Sequence, residues 1–415
     1  MKQTEAMGRV PENETAPPSS LWMTLAWAGY LGASWTWVIG MFFPALLLRD
    51  HGILGFLAFA IPNVLGAAAM AWWVANREAS IHIVGVHRRA ALGFSDVTIM
   101  FHAFGLTCLV SPLLGWPGVV AAVVIALLVW AINARYLRVT ALLGLISVLV
   151  SAAVVYRFME AVKPAEPLDL SISPQATADL IWLVPVLAGG FLLCPYLDMT
   201  FHRARQNTTA ATGRLAFSLG FAGVFMGMIL LSLWYAPQII GLFGEGLPAD
   251  RSQAIWLWLG IHFVLQTGYT VGLHLHEITT HRGGHGVFRV IVFSIVAAAG
   301  GLWVYGAPEA EAGARIETGY RFFLLAYGLL FPAYVVICMI PNRRGVELRV
   351  AWRACLVTVL LAGPMAYLGF VGGSNPWWCL GALGMIGLGR MGLTWMPKTL
   401  VPIYLSEAVS RERDN

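Results

Sequence analysis

Apolar stretches about 20 residues long, the length a helix needs to cross the hydrocarbon of a bilayer, recur in this chain from Leu21 to Met396. Only short connections separate them, so no soluble domain fits between. The chain reads as a polytopic, all-α membrane protein with the bilayer as its first partner. Composition agrees, with 58% hydrophobic and 11% charged residues and a mean hydropathy of +0.72, against about 45–50% and about 25% in soluble domains. The expected organisation is one transmembrane domain over 21–396, with a disordered cytoplasmic tail at 1–20 and another cytoplasmic tail at 397–415. The opening MKQTEAMGRVPENETAPPSS lacks the apolar core and small-residue cleavage site of a secretory signal. The five cysteines fall in or beside apolar segments without CxxC spacing, which argues against a disulfide framework or a cysteine metal site. The net charge of +5 sits in arginine clusters between spans, where it sets orientation rather than contact with nucleic acid.

Twelve spans are expected, at 21–48, 53–76, 93–113, 116–134, 138–157, 178–200, 214–235, 254–277, 287–306, 318–341, 351–371 and 376–396. Connections after even-numbered spans carry the arginines, among them Arg88, Arg89, Arg203, Arg205, Arg282, Arg343 and Arg344, and the others are poorer in cations. The positive-inside rule then puts both termini in the cytoplasm of a cell (inner or plasma) membrane. The longer external loops follow spans 5 and 7, and APQIIGLFGEGLPADRS after span 7 suits a short external helix. Five spans, an external link and five more invert the second half relative to the first. The repeats would cover about 21–157 and 178–341, with extra helices at 351–396.

Span 1 reads GYLGASWTWVIGMFFP, with Gly29, Gly32, Ser34, Thr36 and Gly40 before Pro44, and span 6 contains Gly189, Gly190 and Pro195. This pattern resembles the LeuT-fold secondary transporters of the amino acid–polyamine–cation superfamily, in which the first helix of each repeat is unwound at mid-membrane. GFLAFAIPNVLGAAAMAWW in span 2 is similar to the sodium:solute symporters. The resemblance implies a substrate held at breaks in spans 1 and 6, against spans 3 and 8. It also implies a sodium site made by span 8 hydroxyls, here Thr267 and Thr270, with carbonyls of the broken first helix near Ala33. Span 1 lacks the acid of the neurotransmitter-type transporters and the DPGN-type sequence of the metal-transporting branch, so the solute stays open.

The residues support a similar picture on their own terms. Glycine tolerates non-helical dihedrals and proline removes a helix hydrogen bond, and freed backbone groups are tolerated in a membrane where they line a cavity or bind a ligand. A packing notch with a proline kink is the plainer alternative. Breaks are expected near Gly32–Thr36 and Gly189–Cys194. The candidate substrate-binding residues are Gly32, Ser34, Trp35, Thr36, Gly189, Gly190 and Phe191, with His102 of span 3 and His262, Gln266 and Tyr269 of span 8. Trp37 lies beside the first break. Asp198 is a candidate inner gate with His202, Arg203 or Arg205, a proton or ion site, or an ordinary interface charge. In span 8, His262, Gln266, Thr267, Thr270, His274, Glu277 and His281 fall within an arc of about 140° on a regular helix. Such a stripe looks into protein or water. His102 could bond a substrate, relay a proton or simply bond another helix.

A rival reading comes from HLHEITTHRGGHG, whose His274, His276, His281 and His285 invite a histidine-based membrane metalloenzyme or redox protein. No HxxHH box accompanies them, and a solvated His/Arg loop explains them as well. No P-loop or dinucleotide fingerprint is present. The expectation is therefore a non-enzymatic, Na⁺- or H⁺-coupled transporter of a small organic solute, without a further cofactor. A transporter-like sensor or partner subunit is the remaining alternative. The topology makes residues 77–92, 201–213 and 278–286 cytoplasmic. Cysteines introduced there should resist an impermeant thiol reagent added to intact cells, and labelling of any of the three would overturn the orientation.

Overall fold

The computed structural model describes residues 20–161, 174–244, 254–341, 346–373 and 375–395. The two tails, much of the two longer loops and the Trp37 side chain lie outside the described residues. Among those described, the elements are helices: α1 (Leu21–Trp35), α2 (Met41–Trp73), α3 (Arg77–Gly105), α4 (Ser111–Arg135), α5 (Leu137–Ala161), α6 (Pro174–Leu193), α7 (Met199–Gln206), α8 (Ala210–Ser218), α9 (Met226–Leu231), α10 (Ala236–Gly244), α11 (Ala254–Tyr305), α12 (Glu309–Leu325), α13 (Phe331–Tyr334), α14 (Leu348–Ala366) and α15 (Trp377–Trp395). The helix expected in APQIIGLFGEG is α10.

Among the described residues, eight helical stretches are long and apolar enough to cross a membrane. Three of them, Val38–Trp73, Arg77–Arg135 and Trp256–Tyr305, run 36, 59 and 50 residues, far more than the ~20 a single crossing needs. Each kinks at a glycine, and the longest also at His87; the glycines, Gly52, Gly115 and Gly283, have φ of 62°, 67° and 62°. That left-handed region is open to glycine at no steric cost, so a helix stops and restarts there without a loop. Local caps set other starts: the Asn76 side chain accepts from Ala79 N at 2.8 Å, and Thr209 from Thr212 N at 3.2 Å.

The main apolar cluster runs through α1, α2, α6 and α11 to α15, with a smaller one between α3, α7 and α11, and leucine, valine and tryptophan side chains are exposed on the outside, as lipid requires. α11 packs along α3, α4 and α5, α1 along α5 and the 219–225 turn, α2 along α6, and α14 along α15. The α1–α2 and α11 stretches run antiparallel, since Thr270 meets Ala33 and Phe263 stacks 4.8 Å from Phe42.

Glycines permit the closest approaches. A methyl at Gly144 would overlap the Tyr269 hydroxyl and stand 2.7 Å from the Tyr30 Cα. Gly85, on α3, has nothing within 4 Å of such a methyl. Gly144→Ala should therefore lower stability by about 1–3 kcal/mol, the usual cost of overpacking. Gly85→Ala should be neutral or stabilising by up to about 1 kcal/mol. Thermal unfolding of the two variants in one detergent checks the pair, and equal melting temperatures would contradict the packing.

Candidate functional site

Among the described residues, two membrane helices are interrupted at mid-span, and each interruption lies a few residues beyond its expected place. In the first, α1 ends at Trp35 and a wide turn over Thr36–Gly40 leads into α2. Val38 stands there at φ 51°, buried. A β-branched residue in the left-handed region is strained, and such strain persists only where surroundings impose it. Here the Tyr320 hydroxyl donates to the Val38 carbonyl at 2.6 Å, and Thr270 Oγ1 donates to the Ala33 carbonyl at 3.4 Å. In the second, α6 ends at Leu193, a tight turn covers Cys194–Leu197, and Asp198 is extended (ψ 111°) before α7 starts. Asp198 Oδ1 caps α7, accepting from Thr200 N and Oγ1, both at 2.7 Å. His202 Nε2 lies 2.9 Å from the Tyr196 carbonyl, and its Nδ1 2.8 Å from Ser80 Oγ.

The two breaks meet through aromatic rings. Trp35 lies 5.0 Å from Phe201, just past the second break, and stacks at 6.0 Å and 4° on Phe94 of α3. Phe94 also touches Tyr327 at 5.4 Å, Phe331 at 4.7 Å and His274 at 6.2 Å. Trp35 Nε1 donates to Asn63 Oδ1 at 2.7 Å, and Asn63 Nδ2 has no hydrogen-bond partner among the described residues. Asp198 Oδ2 has none either, and His274 Nε2 lies 4.0 Å from it. Thr98 Oγ1 and the Tyr327 hydroxyl are 2.9 Å apart, and His102 Nδ1 lies 2.5 Å from the Thr98 carbonyl. An unpartnered donor and an unpartnered acceptor, both buried, thus border one aromatic cluster.

Not every candidate residue comes here. Ser34 and Thr36 hydroxyls bond back to Leu31 O and Gly32 O of their own helix, at 3.0 and 2.7 Å. Gly32 faces Val224 and the Gly220 carbonyl, as a packing notch. Gly190 and Phe191 look the other way, into a small apolar pocket bordered by α2, α6, α12, α14 and α15, and Gly189 lies beside Leu383. The span 8 stripe does not serve one cavity. His262 lies 5.9 Å from the Tyr235 ring, Gln266 donates to Ser147 and Ser151 of α5, and the Tyr269 hydroxyl donates to Thr140 O. Thr267 bonds its own helix at Phe263 O, 2.7 Å away, while Thr270 reaches α1, and His274 reaches Ser95 at 3.1 Å. Four neighbours share the stripe because α11 is enclosed on several sides.

Among the described residues, Asp198 forms an ion pair with none of His202, Arg203 and Arg205, the partners considered for an inner gate. Arg203 instead holds Glu277 through two hydrogen bonds, Nη2 to Oε2 at 2.9 Å and a shorter one from Nε, with His281 Nε2 3.7 Å from the same carboxylate. Arg205 is buried and donates to Val74 O, Ala75 O and Thr208 O, pinning α7 to the turn after α2. At that same end Asp96 accepts from Arg282 and Arg289. At the opposite end Arg49 pairs with Asp50 and Glu317, and Arg321 with Glu317 and Asp50, at 2.5–2.8 Å. The breaks lie between these charge networks. Asn63, Phe94, Thr98, Phe201, Tyr320 and Asp96 were not among the sequence candidates, and only Asp96, an acid in an apolar segment, carried a legible signal. The histidines of the rival reading do not converge, and no group of three or more His, Cys, Asp or Glu suited to a metal occurs among the described residues.

Fold and site together define a helical membrane protein with two interrupted helices meeting in its core. No family model, curated protein or solved structure matches the chain.

Glu277 is 2% exposed and Arg203 21%, so removing one partner leaves a buried charge. Arg203→Met should cost about 3–5 kcal/mol. The double variant Arg203→Met/Glu277→Gln should recover a good part of it. A double variant no more stable than the single one would show that the pair does not carry the effect.

Proposed function

We propose that this chain is an ion-coupled secondary transporter of a small organic solute, working by alternating access. The observation that carries the reading is the meeting of the two interrupted helices at Trp35, Phe94 and Phe201, with Asn63 Nδ2 and Asp198 Oδ2 left unpartnered there. Interrupted backbone inside a bilayer is costly and marks substrate or ion sites. Aromatic walls with a few convergent polar groups suit a small organic molecule.

In this reading the chain crosses twelve times, with the kinks at Gly52, Gly115 and Gly283 dividing the longest helices and α15 as the last crossing. The halves form a five-plus-five inverted repeat, and both termini are cytoplasmic. The Arg49–Asp50–Glu317–Arg321 network closes the external side, and the Arg203–Glu277 and Asp96–Arg282–Arg289 pairs close the cytoplasmic side. Each seal includes ion pairs that join different helices. Sodium at Thr270 and Ala33, or a proton at Asp198, supplies the drive.

A thermal-shift screen of organic solutes, with and without Na⁺ and at two pH values, tests the function. The reading expects at least one solute to stabilise the protein only with Na⁺ or at the lower pH. The seals have their own test, in a background where Thr98→Cys reports access to the junction. An impermeant thiol reagent should leave the introduced thiol unlabelled until Arg49→Ala and Arg321→Ala are added. Equal labelling in both backgrounds would refute the external seal.

A further inference from the structure

The junction holds an acid that pairs with none of the described arginines. Asp198 is fully buried, and none of the described arginines lies within ion-pair distance of it. Its Oδ1 is saturated by Thr200, but Oδ2 has no hydrogen bond. An isolated carboxylate in low dielectric is costly unless a cation or a proton accompanies it. The group opposite sharpens the point. Ser95 Oγ lies 3.1 Å from His274 Nδ1 and 3.4 Å from Ala91 O, so with its hydrogen on Ala91 O it accepts from Nδ1–H of His274. In that tautomer, with Nδ1–H donated to Ser95 Oγ, His274 Nε2 carries a lone pair. Two acceptors, Oδ2 and Nε2, then face each other across 4.0 Å.

We infer that Asp198 and His274 share one exchangeable proton, and that this proton is the coupling ion of the transport reading on which the inference rests. The proton resides on Asp198 Oδ2 when the junction is closed, and His274 Nε2 is its alternate base. No bond to carbon or oxygen other than that O–H is made or broken; one O–H is exchanged for an N–H⁺ or for release to water.

The neighbouring ionisable groups are otherwise committed. On α11, Glu277 is held by Arg203, and His276 lies 3.4 Å from Thr280 Oγ1. On α3, Asp96 is held by Arg282 and Arg289, and His102 sits on the Thr98 carbonyl. On α7, His202 bridges Ser80 and the Tyr196 carbonyl. Tyr327 bonds Thr98, while Tyr30 of α1 and Cys194 of the second break are neutral at ordinary pH. Asp198 also stands where a backbone break joins α3, α7 and α11. A charge change there acts on the segment that has to move.

The test is infrared difference spectroscopy of the protein reconstituted in lipid, titrated from acid to alkaline buffer without Na⁺. Wild type should give a protonated-carboxyl stretch that disappears as pH rises, and Asp198→Asn should lack it. Asparagine caps a helix as well as aspartate does, so this variant should fold, and its thermal unfolding is recorded alongside. His274→Gln should move the pH at which the band disappears. Identical band patterns in wild type and Asp198→Asn would overturn the proton site, as would loss of the band on adding Na⁺ at constant pH, which would make the acid a metal-cation ligand. The readout needs no solute, so it separates the two ideas. The band present in a protein that moves none of the screened solutes refutes transport and upholds the proton site. Solute uptake driven by a pH gradient in Asp198→Asn refutes the proton site and upholds transport.

Discussion

Backbone carbonyls freed inside a low-dielectric core are the constraint on which the rest of this structure turns. A helix that stops in mid-membrane leaves C=O groups that water cannot reach, each costing several kcal/mol if left bare. The chain meets this with side chains from other helices. Tyr320 donates to Val38 O, Thr270 to Ala33 O, and His202 lies against Tyr196 O. These bonds tie α11, α12 and α7 to the breaks and hold Val38 in a conformation it would not choose. A movement that re-forms the backbone would release those side chains, so local geometry and helix arrangement change together.

Charge obeys the same constraint. Arg203 and Glu277 form a two-bond pair, and Asp96 collects two arginines. Arg49, Asp50, Glu317 and Arg321 neutralise one another at the far end. Asp198 stands apart from this pattern, because among the described residues its ionisable neighbour within 4.0 Å is a histidine. Of the buried side-chain atoms without hydrogen-bond partners among the described residues, those on Asn63 and Asp198 border the same junction.

Much of the architecture was legible in the chain, because span length and hydropathy are properties of local sequence. Gly52, Gly115 and Gly283 were harder to read, since nothing local separates a glycine that turns a chain from one that admits a neighbour. The interruptions were visible as Gly, Ser, Thr and Pro clusters, yet each fell a few residues further on. Gly32 and Gly190 face neighbouring helices, so glycines that suggested flexibility serve packing. The breaks settled instead at Val38, where Tyr320 reaches a carbonyl, and at Asp198, where an acid caps the next helix. Helical spacing put the polar residues of span 8 on one stripe but could not say that α5, α1, α3 and α7 divide it. Tyr320, Asn63 and Phe94 look ordinary in sequence, and their roles exist only across long separations.

Amide hydrogen exchange of the protein in lipid nanodiscs tests the central claim, that side chains of other helices secure the interrupted backbone. The account predicts faster exchange at 36–40 and 194–198 than within 24–33 and 180–190, and in Tyr320→Phe a further acceleration at 36–40 with 194–198 unchanged. Uniform protection from 24 to 48, unaltered by Tyr320→Phe, would contradict it.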